Sequence, residues 1–193
     1  MNKEASTMTG TEPRSFARTA GVVYLGYFAA AIFGSVLVSR KMKAGVAVTC
    51  LADVLYAVTS LLFYRLFRPV SGILALVATV FSLLGCAADI LVQINRAPAG
   101  LSPLLFFGPF CVLLGWLILQ SEFLPRWLGW LLIVAGVGWL AFLIPAVATH
   151  ARVVIFPLGF LAELSLMLWL LIKGVNEARW AAVRSLRSIR INK

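Results

Sequence analysis

Charge is what this sequence has least of. Asp, Glu, Lys and Arg make up 12% of its 193 residues, against 62% hydrophobic. A soluble domain needs roughly a quarter of its residues charged to keep its surface wet, so water is excluded as the solvent for most of the chain. Histidine is nearly missing too, at one residue, and with no His/Cys cluster a metal site is not expected. Cys50, Cys86 and Cys111 are odd in number and fall inside apolar runs, which argues against a disulfide framework. Phosphate-binding glycine loops, nucleophile elbows and haem-attachment motifs are absent, so no cofactor is expected. The charge that exists is lopsided, with 17 basic and 7 acidic residues and a net +10. The basic residues gather at the ends of apolar runs and on the C-terminal tail. That distribution points to anionic lipid headgroups, at the tail above all, and away from nucleic acid.

Long apolar runs fill the rest. A spanning helix needs about 20 mostly apolar residues, and six such runs can be marked, at about 17–38, 44–67, 69–93, 102–121, 127–148 and 152–172. Short separators with turn and charge residues divide them, such as Arg40-Lys41-Met42-Lys43 and Asn95-Arg96-Ala97-Pro98. The expected fold is all-α, a polytopic six-transmembrane-helix bundle. Residues 1–16 form an N-terminal segment, 17–173 the membrane domain and 174–193 a basic tail. In that tail Trp180, Val183, Leu186 and Ile189 recur at three-residue steps, the pattern of an amphipathic helix on a membrane surface. Gly26, Ala30 and Gly34 at four-residue steps offer a close backbone approach on the first helix. Pro109, Pro145 and Pro157 mark possible kinks within or near spans.

Orientation follows from the basic residues. Lys3, Arg14, Arg18, Arg65, Arg68, Arg126 and six residues from Lys173 to Lys193 fall on one side. Arg40, Lys41, Lys43, Arg96 and Arg152 fall on the other. Twelve against five places both termini in the cytoplasm, as expected for a multi-pass protein of a bacterial inner membrane.

Three acids break the apolar pattern. Asp53, Asp89 and Glu163 lie within runs that hold no deep Lys or Arg. A charge at mid-bilayer costs roughly 2.5–3.5 kcal/mol on insertion scales, and a carboxyl group without a cation favours keeping its proton there. Counted at 1.5 Å per residue, the three lie about 13, 6 and 16 Å below the same outer surface. Polar stripes accompany them. Thr49, Asp53, Tyr56 and Ser60 share one face of the second helix, and Thr79, Ser82, Cys86, Asp89 and Gln93 one face of the third. Gly159, Glu163 and Met167 mark the sixth, and Tyr24 and Tyr27 can add to them from the first. A polar pocket inside the bundle, open toward the outer side, is the expected result. His150 and Arg152, in the expected outer loop, are candidates for its mouth. The plain alternative is that these acids only tie helices together, at about 0.6 kcal/mol per bond.

Three stretches resemble a bacterial family of small membrane proteins, domain of unknown function 4386. The first runs from Leu61-Leu62-Phe63-Tyr64-Arg65 through Phe67-Arg68-Pro69-Val70-Ser71. The second is Leu114-Gly115-Trp116-Leu117 to Ser121, followed by Phe123-Leu124-Pro125-Arg126-Trp127-Leu128-Gly129. The third is Leu168-Trp169-Leu170-Leu171-Ile172-Lys173-Gly174. The resemblance implies the six-span topology and supplies no reaction. The short link from Arg40 to Lys43 departs from it, since relatives usually carry a longer insertion there.

Three functions fit these residues. In the first, a pocket lined by Tyr24, Tyr27, Asp53, Tyr56, Asp89, Gln93 and Glu163 binds a lipophilic or amphiphilic small molecule, as a carrier or receptor with a carboxylate counter-ion. In the second, the chain is a membrane enzyme with Asp53, Glu163 and Asp89 as catalytic acids. A protonated carboxyl then gives its proton to an alkene or epoxide, and tyrosine and tryptophan faces stabilise the resulting carbocation. The third is a scaffold without a ligand. Trp127, Trp130, Trp139 and Trp169 are read as interfacial belts and packing.

Overall fold

Hydrocarbon offers a backbone no hydrogen-bond partner, so a chain this apolar closes its bonds within helices. The computed structural model describes residues 13–191, all of them in helices or the links between helices. Six apolar helices follow in order: α1 (Pro13–Ser39), α2 (Ala44–Phe67), α3 (Gly72–Gln93), α4 (Leu104–Ser121), α5 (Arg126–Ala141) and α6 (Pro145–Ile172). A seventh, α7 (Glu177–Ile191), carries the basic tail. Five of the seven contain stretches long and apolar enough to cross a membrane: α1 to α4, and residues 150–172 of α6. Their outward faces are apolar, with Phe33, Ile73, Val153 and Val154 among the exposed side chains. The chain is a multi-pass helical membrane protein, and lipid is the partner of those faces.

From α1 to α6 each helix packs against its neighbours in sequence, and α6 returns to close a ring against α1. The half of the ring next to α7 is solid. Tyr24, Phe63, Leu66, Phe67, Leu117, Ile118, Leu128, Leu166 and Leu170 fill it, all essentially buried. Glycine sets how tightly the ring draws in. A Cβ on Gly115 would lie 2.5 Å from the carbonyl oxygen of Gly129, and one on Gly129 would lie 2.7 Å from that of Gly115. Two turns away Gly108 and Gly136 repeat the contact between α4 and α5. On α1, Gly34 sits against the Thr49 backbone of α2, whereas Gly26 faces only the tip of Leu55. Of the expected small-residue series, then, Gly34 makes the backbone approach and Gly26 does not.

Several helix ends differ from the sequence reading, each for a local reason. The helix expected from 69 begins at Gly72, because Ser71 acts as its N-cap and accepts from the Leu74 N–H at 3.4 Å. Of the N-terminal segment expected over 1–16, residues 13–16 already belong to α1. The fifth helix, expected to reach 148, stops at Ala141. Pro145 opens α6 at a position where its missing N–H removes no bond. His150 and Arg152, expected in an outer loop, therefore lie within α6. Both α4 and α6 run on through Pro109 and Pro157. Left-handed residues close four helices: Lys41 after α1, Asn95 after α3, Glu122 after α4 and Gly174 after α6. At Lys41 and Asn95 the next N–H reaches back five residues, Met42 to Leu37 and Arg96 to Leu91, which satisfies the last carbonyls.

The α7 helix is tied to the solid end. The Trp180 indole N–H donates to the Leu66 carbonyl at 3.2 Å, and Arg179 Nη1 donates to that of Glu122 at 3.0 Å. Of the apolar positions expected on its face, Leu186 and Ile189 lie outside the residues whose side chains are described. Gly129→Ala is expected to destabilise the protein by about 1–3 kcal/mol, the cost of overpacking. Gly26→Ala should be near neutral, and reversible unfolding in mixed detergent micelles distinguishes the two.

Candidate functional site

Helical spacing puts the polar stripes of α2 and α3 on facing sides, and antiparallel packing brings them into one register. Gln93 Nε2 donates to Asp53 Oδ2 at 2.8 Å. Asp89 lies one turn before Gln93 on the same face of α3 and borders the same space as Asp53. Two turns deeper on each helix, the Ser60 and Ser82 hydroxyls bond to each other. Asp53 is 5% exposed, and among the described residues no lysine or arginine lines the space beside it.

Glu163 is the third acid, placed on the inner face of α6. The Tyr24 hydroxyl donates to its Oε2 at 2.8 Å, and the Cys111 thiol approaches Oε1 at 4.0 Å. Tyr24, Tyr27 and Tyr56 pack on one another with ring centroids 4.6 to 5.8 Å apart. Donors from α1 and α4 thus converge on one acceptor from α6, which is how an apolar bundle holds a carboxyl group in place.

Between these groups lies a cavity of about 340 Å³. All six apolar helices wall it: Tyr27 and Ala31 from α1, Thr49, Ala52, Asp53 and Tyr56 from α2, Asp89 and Gln93 from α3, Leu104 and Phe107 from α4, Trp139 from α5, and Phe156 and Glu163 from α6. The cavity occupies the half of the ring away from α7, at the end that carries links 40–43, 94–103 and 142–144. Asp53, Asp89, Gln93 and Glu163 supply its strongly polar groups, and Phe107, Trp139 and Phe156 its large aromatic walls. Arg152 is not among the lining residues; its guanidinium carbon lies 5.3 Å from the centre of the Phe156 ring. The size lies at the lower end of small-molecule sites, and apolar walls with a few convergent polar groups are their usual composition.

Six of the seven residues expected to bind a ligand line this cavity: Tyr27, Asp53, Tyr56, Asp89, Gln93 and Glu163. Tyr24 does not. It is buried behind the wall and acts on the cavity through Glu163. His150 is not among the lining residues, and its Nδ1 lies 3.0 Å from the Ala146 carbonyl of its own helix. The sequence reading missed Phe107, Trp139 and Phe156, which carry no polar signature. Trp139, read as belt or packing, is a wall. One signal pointed to it: Gly159 stands one turn before Glu163, and a Cβ there would overlap the Trp139 indole. Gly159→Ala is expected to push that indole from its seat and cost about 1–3 kcal/mol. A changed near-ultraviolet dichroism with unaltered helix content would register the shift.

The family model described as "Domain of unknown function (DUF4386)" matches residues 87–174, from the end of α3 through α6. Asp89, Gln93, Trp139 and Glu163 lie within that stretch, and Asp53 lies outside it. An uncharacterised protein of the archaeon Archaeoglobus fulgidus is 32% identical over 136 residues, covering 67% of this chain and 82% of the relative. No solved structure matches. With most of that relative's length aligned and the family model covering the second half of the bundle, the chain belongs to the DUF4386 family.

Proposed function

We propose that this protein binds a small amphiphilic molecule within the helix ring, as a carrier or receptor, with a carboxylate as counter-ion to the ligand's polar end. The observation that carries the reading is the cavity itself. It gathers Asp53, Asp89 and Glu163 from three helices and no Lys or Arg, beside the faces of Phe107, Trp139 and Phe156. A cation set against both carboxylates and aromatic faces is favoured by each, the more so away from water. The apolar walls suit the body of the same molecule. If the acids only tied helices together, they would need no open volume between them.

The test uses two probes of one shape, benzyltrimethylammonium and its neutral carbon analogue neopentylbenzene, titrated onto the full chain in lipid nanodiscs with empty nanodiscs as the blank. Saturable binding of the cation, weakened roughly tenfold in Asp53→Asn/Glu163→Gln, is expected, a loss equivalent to about 1.4 kcal/mol. Saturable binding of neither probe would sink the reading. A second reading, acid catalysis on a lipophilic substrate, draws on the same aromatic walls, which suit a carbocation. It predicts a probe-independent outcome: a co-purified molecule recovered from wild type chemically changed relative to that from the Asp53→Asn variant.

The reading includes six crossings with both termini cytoplasmic. By itself α5, about 24 Å long, is shorter than the roughly 30 Å hydrocarbon core. Yet α4 ends beside α7 and α6 begins at the cavity end, and only short links join them to α5. That arrangement supports a full traverse. The same packing gathers Arg14, Arg18, Arg65, Arg68, Arg126, Lys173 and α7 at one end of the ring, which the basic-residue rule assigns to the cytoplasm. The setting proposed is a cytoplasmic membrane, and the archaeal relative widens the expected host beyond bacteria. A thiol reagent that does not cross membranes should label Met42→Cys, and not a cysteine placed at Ala178, in intact cells. The reverse pattern would invert the topology and turn the cavity to the inside.

A further inference from the structure

Two open clefts adjoin at the α7 end of the ring, far from the cavity and independent of what it binds. Their volumes are about 540 and 370 Å³, and Arg14 and Glu177 line both. The larger continues over Arg18 to Val22 on α1, and the smaller reaches Trp169 and Lys173 at the end of α6. Arg14, Arg18 and Val22 follow at four-residue steps, so one face of α1 passes from charge to apolar surface. Val22 is 56% exposed, and Ile172 on the neighbouring helix is 61% exposed. Three cations therefore meet one acid where the bundle end joins a lipid-facing groove.

The arrangement is built rather than incidental. Gly174 adopts a left-handed φ of +68°, and a Cβ there would lie 2.9 Å from Arg14 Cγ. The turn from α6 to α7 thus runs directly over the Arg14 stem, while the Arg14 residue as a whole stays exposed. Arg18 Nη2 donates to the Ile172 carbonyl at 3.3 Å, which holds that guanidinium at the α1–α6 seam. A guanidinium has five N–H donors in a planar fork that matches phosphate oxygens. Trp169 adds an indole where headgroups meet hydrocarbon.

We propose that these clefts seat one anionic phospholipid, with its phosphate among Arg14, Arg18 and Lys173 and an acyl chain descending along Val22. A soluble phosphate shares the headgroup chemistry, but the apolar continuation of the groove has a use only for a lipid. The basic tail draws anionic lipid diffusely; this site is local and stoichiometric.

Native mass spectrometry of the full chain tests it by titrating dioleoylphosphatidylglycerol and dioleoylphosphatidylcholine into mild detergent. One phosphatidylglycerol should bind in clear preference to phosphatidylcholine. Arg14→Gln/Arg18→Gln should weaken it roughly twenty-fivefold, at about fivefold per arginine, while Arg184→Gln on α7 leaves it unchanged. If the double variant does not fold, Arg14→Gln alone should give the single step and Arg14→Lys most of the wild-type affinity. Equal binding of the two lipids overturns the proposal, as does an equal loss in Arg184→Gln. Displacement of phosphatidylglycerol by millimolar inorganic phosphate overturns it as well, since the site would then serve a soluble anion.

Discussion

Inside a bilayer a polar side chain has only other protein groups to bond to, and that requirement governs how the helices of this protein turn. Asp53 can meet Gln93 only if α2 and α3 present those faces to each other, and Glu163 can collect the Tyr24 hydroxyl only if α6 closes against α1. The buried Ser60–Ser82 bond repeats the demand deeper in the same interface. Rotating α2, α3 or α6 by half a turn would deliver a carboxyl group to lipid. The ring is thus fixed rotationally by a handful of polar atoms, while its apolar outer faces are interchangeable as far as lipid is concerned.

Shape comes from a different source. Dispersion between closely approaching backbones drives helix association where no hydrophobic effect separates protein from lipid tails. The glycine pairs on α4 and α5 supply that approach, as do Gly21 against the Leu171 backbone and Gly34 against Thr49. Large side chains then fill the end next to α7 and leave the other end open. Gly159 contributes to the cavity in an unusual way, because it removes bulk from α6 so that Trp139 can become a wall. The two ends consequently offer different chemistry: acids and aromatic faces around an enclosed space at one, arginines and lysine beside a lipid-facing groove at the other.

The all-helical membrane class was legible in the sequence because it follows from composition and run length. Lipid dissolves only long apolar segments, and six of them can be counted without knowing their neighbours. Most of the site was legible too, since Asp53, Tyr56, Asp89 and Gln93 sit on stripes whose period is set by the helix itself. A polar residue at lipid depth announces that it faces inward. An aromatic or glycine residue makes no such announcement, and for that reason Phe107, Trp139 and Phe156 were missed and the Gly115–Gly129 contact went unnoticed. Helix ends are legible where a proline or a cap is local, but Pro145 sits in an apolar run that reads as one continuous span. An apolar run does not reveal a three-residue break at 142–144.

The sequence by itself determined that this chain lives in a membrane, that its helices are amphipathic in a polar rather than an apolar sense, and that three acids must turn inward. Those are consequences of solvent and of helical period, and both act on each segment alone. Only the tertiary structure decided that Asp53 meets Gln93 while Glu163 meets Tyr24, that Tyr24 supports the wall instead of forming it, and that Arg14, Arg18 and Lys173 gather beside one groove. Those outcomes depend on which helix neighbours which and how closely two backbones can approach. That is a property of pairs, and no single segment carries it.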